Sequence, residues 1–110
     1  LLRRLLSGVA AARGDGAAAV ARAREALAVT DEFPNQRGLA LAALAAGLTL
    51  VGDDGADAAY REAVDLLDEH GTPRERSNVL RSYARYLRER GRDGEALDVL
   101  ERATEVSSSR

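Results

Sequence analysis

Apolar side chains recur along this chain at intervals of three and four, as in Leu41, Leu44, Ala45 and Leu48, and again in Leu80, Tyr83, Ala84 and Leu87. That spacing puts each set on one face of a helix, and the alternation of a half-buried strand does not take its place anywhere. The pattern is interrupted at Gly14, Phe33-Pro34, Gly52, Gly71 and Gly91, the residue types that close helices or follow their ends. Six helices are predicted, over approximately 1–13, 16–30, 36–51, 55–70, 73–91 and 94–107. The sharpest start is Thr72-Pro73-Arg74-Glu75: threonine can cap, proline suits the first helical position, and glutamate completes a capping box. Asn35 and Asp93 are the expected caps of the third and sixth helices.

The interruptions keep time. Gly14, Gly52 and Gly91 stand 38 and 39 residues apart, and Ala26, Ala63 and Ala103 stand 37 and 40 apart. Two landmarks, one in a turn and one in the helix after it, thus agree on a period near 38. A single helix pair cannot bury its own apolar face, so a repeat of this size predicts stacked pairs. The expected fold is all-α: an α-solenoid of three antiparallel helix pairs in one domain, 1–107. The repeats are 1–33, 34–71 and 72–107, and residues 108–110 form a frayed tail.

Composition sharpens this picture. Hydrophobic residues make up 45% of the 110 residues but aromatics only 4%. Alanine therefore carries much of the core, which implies helices that approach closely. With no cysteine there is neither a disulfide framework nor a thiolate metal site, as fits a reducing compartment. All sixteen basic residues are arginine, and the net charge is −2, so no global basic field points to nucleic acid. Alanine and arginine in this measure suit a GC-rich genome, and a bacterial, actinobacterial source is expected. The most apolar stretch, Leu39 to Val51, is short of the roughly 20 residues of a membrane span. "LLRRLL" lacks the apolar region and cleavage site of a signal peptide. A cytoplasmic protein without membrane contact is expected, and the lack of an initiating methionine suggests a piece of a longer chain.

On these residues the chain resembles the tetratricopeptide repeat family. The third repeat carries the family's pattern in full: Leu80, Tyr83, Ala84 and Leu87, then Gly91, then Ala96, Leu100 and Ala103. The second has Leu41, Leu44, Ala45, Leu48 and Gly52, with Ala56, Tyr60 and Ala63 after a turn one residue shorter. In the first, Gly14, Ala19, Ala23 and Ala26 fit, while Arg3 and Ser7 occupy places meant for core residues. The period exceeds the ~34 residues of that family, with the excess in "DEFPNQR" and "HGTPRER". Linkers of that kind are similar to those of helical repeats in bacterial multidomain transcriptional regulators, and HEAT-type pairs also accommodate the period. The resemblance implies a right-handed superhelix whose first helices line a concave groove.

Carried onto this chain, the resemblance places Asn78, Arg81, Arg85, Arg88 and Glu89 in the groove from the third repeat. The second repeat contributes Leu39, Ala42, Ala46, Thr49 and Leu50. Independently, Arg81, Arg85, Arg88 and Arg92 follow a four-three-four spacing that predicts one stripe beside the core face. An apolar strip beside an arginine comb suits a peptide with an apolar anchor and an acidic group, because a guanidinium grips a carboxylate with two parallel hydrogen bonds. The other reading is a solvated face partly paired with Glu75, Glu89 and Asp93. Ala42 and Ala43 stand where chaperone-binding members need polar donors, so chaperone tails are not the expected ligand. No aromatic platform accompanies the arginines, which argues against direct nucleic-acid binding.

No site for chemistry emerges elsewhere. "GDGAAA" at 14–19 resembles a dinucleotide fingerprint but follows a helix rather than a strand. "RGD" at 13–15 falls at a repeat turn, and "DDGAD" at 53–57 has Val64 where a calcium loop needs a bidentate glutamate. Asp65, Asp68 and Glu69 read as a solvated helix face, and His70, the single histidine, as a helix-end residue. No metal, cofactor or catalytic machinery is expected. Leu97, Val99, Leu100 and Val106 cannot all face one neighbour, and Leu1, Leu2, Leu5, Leu6 and Val9 crowd one short helix; at each end the expectation is either that the chain continues or that a second copy packs there. The expected function is a non-catalytic scaffold for a protein or peptide, part of a larger bacterial regulator. An oligomerisation domain using its apolar ends, or a small-ligand sensor, are the alternatives.

Overall fold

The computed structural model describes the backbone of residues 2–108 and the side chains of residues 14–106. It contains five helices: α1 (Leu2–Ala28), α2 (Pro34–Leu50), α3 (Ala56–His70), α4 (Pro73–Glu89) and α5 (Asp93–Ser108). Among the described residues there is no strand. The four later helices follow the predicted segments closely. The first two predicted helices are a single one, so the chain has five helices where six were expected.

The difference lies in what the glycines do. Gly52 and Gly91 are left-handed, at φ 74° and 77°, a region that glycine enters without steric cost. Each closes its helix with the same pair of backbone bonds. Gly52 N–H donates to Thr49 O at 3.2 Å and Asp53 N–H to Leu48 O at 2.8 Å; Gly91 N–H donates to Arg88 O at 3.0 Å and Arg92 N–H to Leu87 O at 2.8 Å. This six-to-one and five-to-two pattern is the Schellman motif. Gly14 has no positive φ and lies inside α1, between the alanine runs 10–12 and 17–19 that favour helix. Two residues on, Gly16 is buried against α2: a Cβ there would lie 2.9 Å from both Leu50 Cβ and Val51 Cγ1. A Cβ on Gly47 would in turn lie 2.9 Å from Val20 Cγ2 and 3.3 Å from Gly16 O. The glycines at this crossing serve close approach of α1 and α2 rather than a turn.

Two predicted caps also move. Pro34 opens α2 at its first position, with Phe33 rather than Asn35 as N-cap residue, and Asp93 is the first residue of α5, an acidic group in the first turn. The capping box at Thr72 forms as expected: Glu75 N–H donates to Thr72 Oγ1 at 3.1 Å and Thr72 N–H to Glu75 Oε1 at 2.9 Å.

Neighbours in sequence are neighbours in space. α2 packs between α1 and α3, and α4 packs on α5, while α4 also lies across α3 and touches α2. The core follows the predicted apolar faces, with Ala45, Ala56, Ala63, Leu67 and Leu80 fully enclosed. Ala96 and Ala103 are buried as well, at 2% and 1% exposure, where α5 crosses α4. Side chains of the predicted apolar amino-terminal cluster, Leu1 to Val9, lie outside the described residues, as do Arg3 and Ser7.

Candidate functional site

All three tyrosines of the chain meet where α4 crosses α3. The rings of Tyr60 and Tyr83 stack with centroids 5.4 Å apart, and Tyr86 lies 5.4 Å from Tyr60 and 6.3 Å from Tyr83. Offset aromatic contacts of this kind add to area burial. Tyr60, Tyr83 and Tyr86 fall on core positions of their helices, so the rings are buried and the hydroxyls reach the rim.

Each hydroxyl meets different chemistry. Tyr83 donates to Asp57 Oδ1 at 3.0 Å and accepts from Arg61 Nε at 3.3 Å. Asp57 also takes Arg92 Nη1 at 3.0 Å, and Arg92 binds Glu95 with its other nitrogens. Burial pushes the Tyr83 hydroxyl above the usual tyrosine range, and the Arg92 guanidinium holds the Glu95 carboxyl below the usual carboxylate range. Tyr86 accepts from Arg90 Nε at 3.4 Å, and the guanidinium sits 5.5 Å from its ring centroid while reaching Asp54 at 3.0 Å. Burial likewise raises the Tyr60 hydroxyl, with the Arg85 charge opposing it and Glu89 and Thr49 as further neighbours.

Arg92 therefore leaves the predicted stripe. The Gly91 turn swings it past the end of α4, where it ties the start of α5 to Asp57 of α3. The remaining three arginines stay together. Arg81, Arg85 and Arg88 are exposed and, with Ala84 and Leu100, line a shallow cleft of about 240 Å³. Among the described residues none of the three enters an ion pair, and the expected pairing with Glu75, Glu89 or Asp93 does not form. Arg37, Arg61, Arg90, Arg92 and Arg102, by contrast, are all paired.

The apolar half of the predicted groove lies elsewhere. Leu39 is 41% exposed, Ala46 is exposed, and Ala42 and Thr49 are half-buried. Thr49 donates its hydroxyl to Ala45 O at 2.8 Å and lines a separate cleft of about 190 Å³ with Tyr86, Glu89 and Arg90. Leu39, Ala42, Ala46 and the exposed Asn78 line neither cleft. The apolar neighbour of the arginines is Leu100 of α5, one of the apolar residues that the sequence could not turn inward all at once.

The acidic face of α3 is as exposed as predicted. Glu62, Asp65, Asp68 and Glu69 flank Leu66; Asp68 takes Arg102 at 2.7 Å and Glu69 lies 3.4 Å from His70. Among the described residues no helix is long and apolar enough to cross a membrane.

Sequence reasoning missed the tyrosine cluster and the Asp57–Arg92 tie. The i,i+4 spacing of Asp57 and Arg61 was a legible signal. The joining of Asp57 to Arg92 was not, since 35 residues separate them. Compared with known proteins, the chain matches no family model, no curated protein and no solved structure. Fold and site together define an all-helical protein with a helical-repeat-like arrangement.

Proposed function

We propose that this chain is a non-catalytic scaffold that binds a protein or peptide through an acidic group and an apolar anchor. In this reading α2–α3 and α4–α5 are units of a tetratricopeptide-like, right-handed solenoid within a cytoplasmic bacterial regulator. The observation that carries it is the cleft lined by Arg81, Arg85, Arg88, Ala84 and Leu100. Three guanidiniums that enter no ion pair among the described residues lie within about two turns of α4 and beside the exposed Leu100 of α5, offering bidentate donors and an apolar contact. Repetition of the Gly52 turn at Gly91 supports the solenoid reading.

Fluorescence anisotropy with short acidic peptides carrying a leucine or phenylalanine anchor tests the proposal. Arg81→Ala/Arg85→Ala should weaken binding about tenfold, the loss of one or two charge-assisted hydrogen bonds, and added salt should weaken wild-type binding. Equal affinity of the two proteins would remove the arginine cleft from the function.

A further inference from the structure

The structure contains its own example of how a helix seats on a helix pair. α4 lies across α3 and touches α2. From α3 it meets Tyr60 through the stacked rings and Asp57 through the Tyr83 hydroxyl. From α2 it borders Thr49, which shares a cleft with Tyr86, Glu89 and Arg90; on the same face of α2, Ala42 is half-buried and Ala46 exposed.

The next pair, α4–α5, repeats this seat. The two Schellman turns at Gly52 and Gly91 fix the first helices at an offset of 39 residues, and buried Ala56, Ala63, Ala96 and Ala103 fix the second helices at 40. The offset of 40 carries Asp57 and Tyr60 onto Leu97 and Leu100; the offset of 39 carries Ala42, Ala46 and Thr49 onto Arg81, Arg85 and Arg88. Where α4 covers Asp57 and Tyr60, nothing described covers their counterparts: Leu97 is 62% exposed and Leu100 37%. Tyr60 in the occupied seat is 4% exposed.

Resting on the reading above, the geometry points to the form of the ligand: an acidic amphipathic helix of a partner protein, seated on α4–α5 as α4 is seated on α2–α3. Its apolar stripe covers Leu97 and Leu100. Carboxylates at i, i+4 and i+7 on the adjoining face meet Arg81, Arg85 and Arg88, whose own spacing is that of a helix face. The occupant's charge follows from the seat, because a basic helix would set like charges together and a wholly apolar one would bury unpaired guanidiniums. Glu101, exposed at the place of Arg61, marks an edge where a basic side chain fits.

The test uses an 18-residue peptide with leucines on one face and glutamates at i, i+4 and i+7, and a second of the same composition with a central proline. Anisotropy should show the helical peptide binding, with its 222 nm circular dichroism deepening on association. The proline version, Arg81→Ala/Arg85→Ala/Arg88→Ala and Leu97→Ser/Leu100→Ser should each weaken binding about tenfold or more. The three arginines are exposed, so the arginine variant should keep the wild-type melting curve; Leu100 is 37% exposed, so the leucine variant is compared at a temperature where it and the wild type are both folded. Equal binding of the two peptides would overturn the helical ligand and leave the acidic-peptide reading standing. Wild-type affinity in the arginine variant would overturn both, and wild-type affinity in the leucine variant would overturn the seat across α5. Sedimentation of the chain alone completes the set: a dimer abolished by Leu97→Ser/Leu100→Ser would make a second copy the occupant and overturn an acidic partner.

Discussion

Glycine does three jobs in this chain, and only the backbone and the neighbours separate them. At Gly52 and Gly91 it supplies a left-handed residue for a Schellman turn; at Gly16 and Gly47 it lets α1 and α2 touch; at Gly14 a Cβ would meet nothing within 4 Å. The consequences for substitution are opposite. Gly14→Ala should raise stability by about 1 kcal/mol, since an exposed helical glycine costs that much relative to alanine. Gly91→Ala should lower it by roughly 1–2 kcal/mol, the cost of forcing a Cβ into the left-handed region. Urea melts of the two variants check the contrast, and a destabilised Gly14→Ala would speak against a continuous α1.

At the scale of the element, the tie between α3, α4 and the start of α5 is polar where most of the core is aliphatic. The Tyr83 hydroxyl sits between Asp57 and Arg61, and Asp57 in turn holds Arg92. Removing the hydroxyl leaves Asp57 with its two arginines, so no buried charge is stranded. Tyr83→Phe should therefore cost about 0.5–1.5 kcal/mol, the net value of an ordinary hydrogen bond, with the ring stack retained. Thermal melts and near-ultraviolet circular dichroism measure the two parts. A loss beyond about 3 kcal/mol would mean that the hydroxyl organises the whole junction. The network also explains why Arg92 is no part of the solvent-facing stripe: its charge is already spent on Glu95 and Asp57.

The whole molecule is held by contacts between successive helices, with α4 on α3 and α2 as the one longer step. Such a stack should loosen locally rather than all at once. Ala103→Glu places a charge at a position 1% exposed, where it cannot be paired. Hydrogen exchange should show lost protection in α5 and the adjoining face of α4, with α1 and α2 retained, and a lower melting temperature overall. Uniform loss across all five helices would contradict nearest-neighbour coupling.

Much of this architecture was legible in the sequence. The three-four spacing of Leu80, Tyr83, Ala84 and Leu87, the Thr72 capping box and the glycines at 52 and 91 are local features, and local physics suffices to place them. The alanines at 56, 63, 96 and 103 announced close crossings because small side chains have no other use at buried helical positions. The roles of Gly14 and Gly16 were not legible, because a turn glycine and a helical one differ in φ and in what stands opposite, here Leu50 and Val51 against Gly16 and nothing within 4 Å of Gly14. Nor could spacing divide the four arginines of the stripe into three that face solvent and one drawn to Asp57. The sequence by itself determined an all-helical chain with a repeated turn, since periodicity and capping act within a few residues. Only the tertiary structure decided that the first two predicted helices are one. It also set Leu100 rather than Leu39, Ala42 or Ala46 beside the arginines, because contacts between distant segments depend on how whole helices cross.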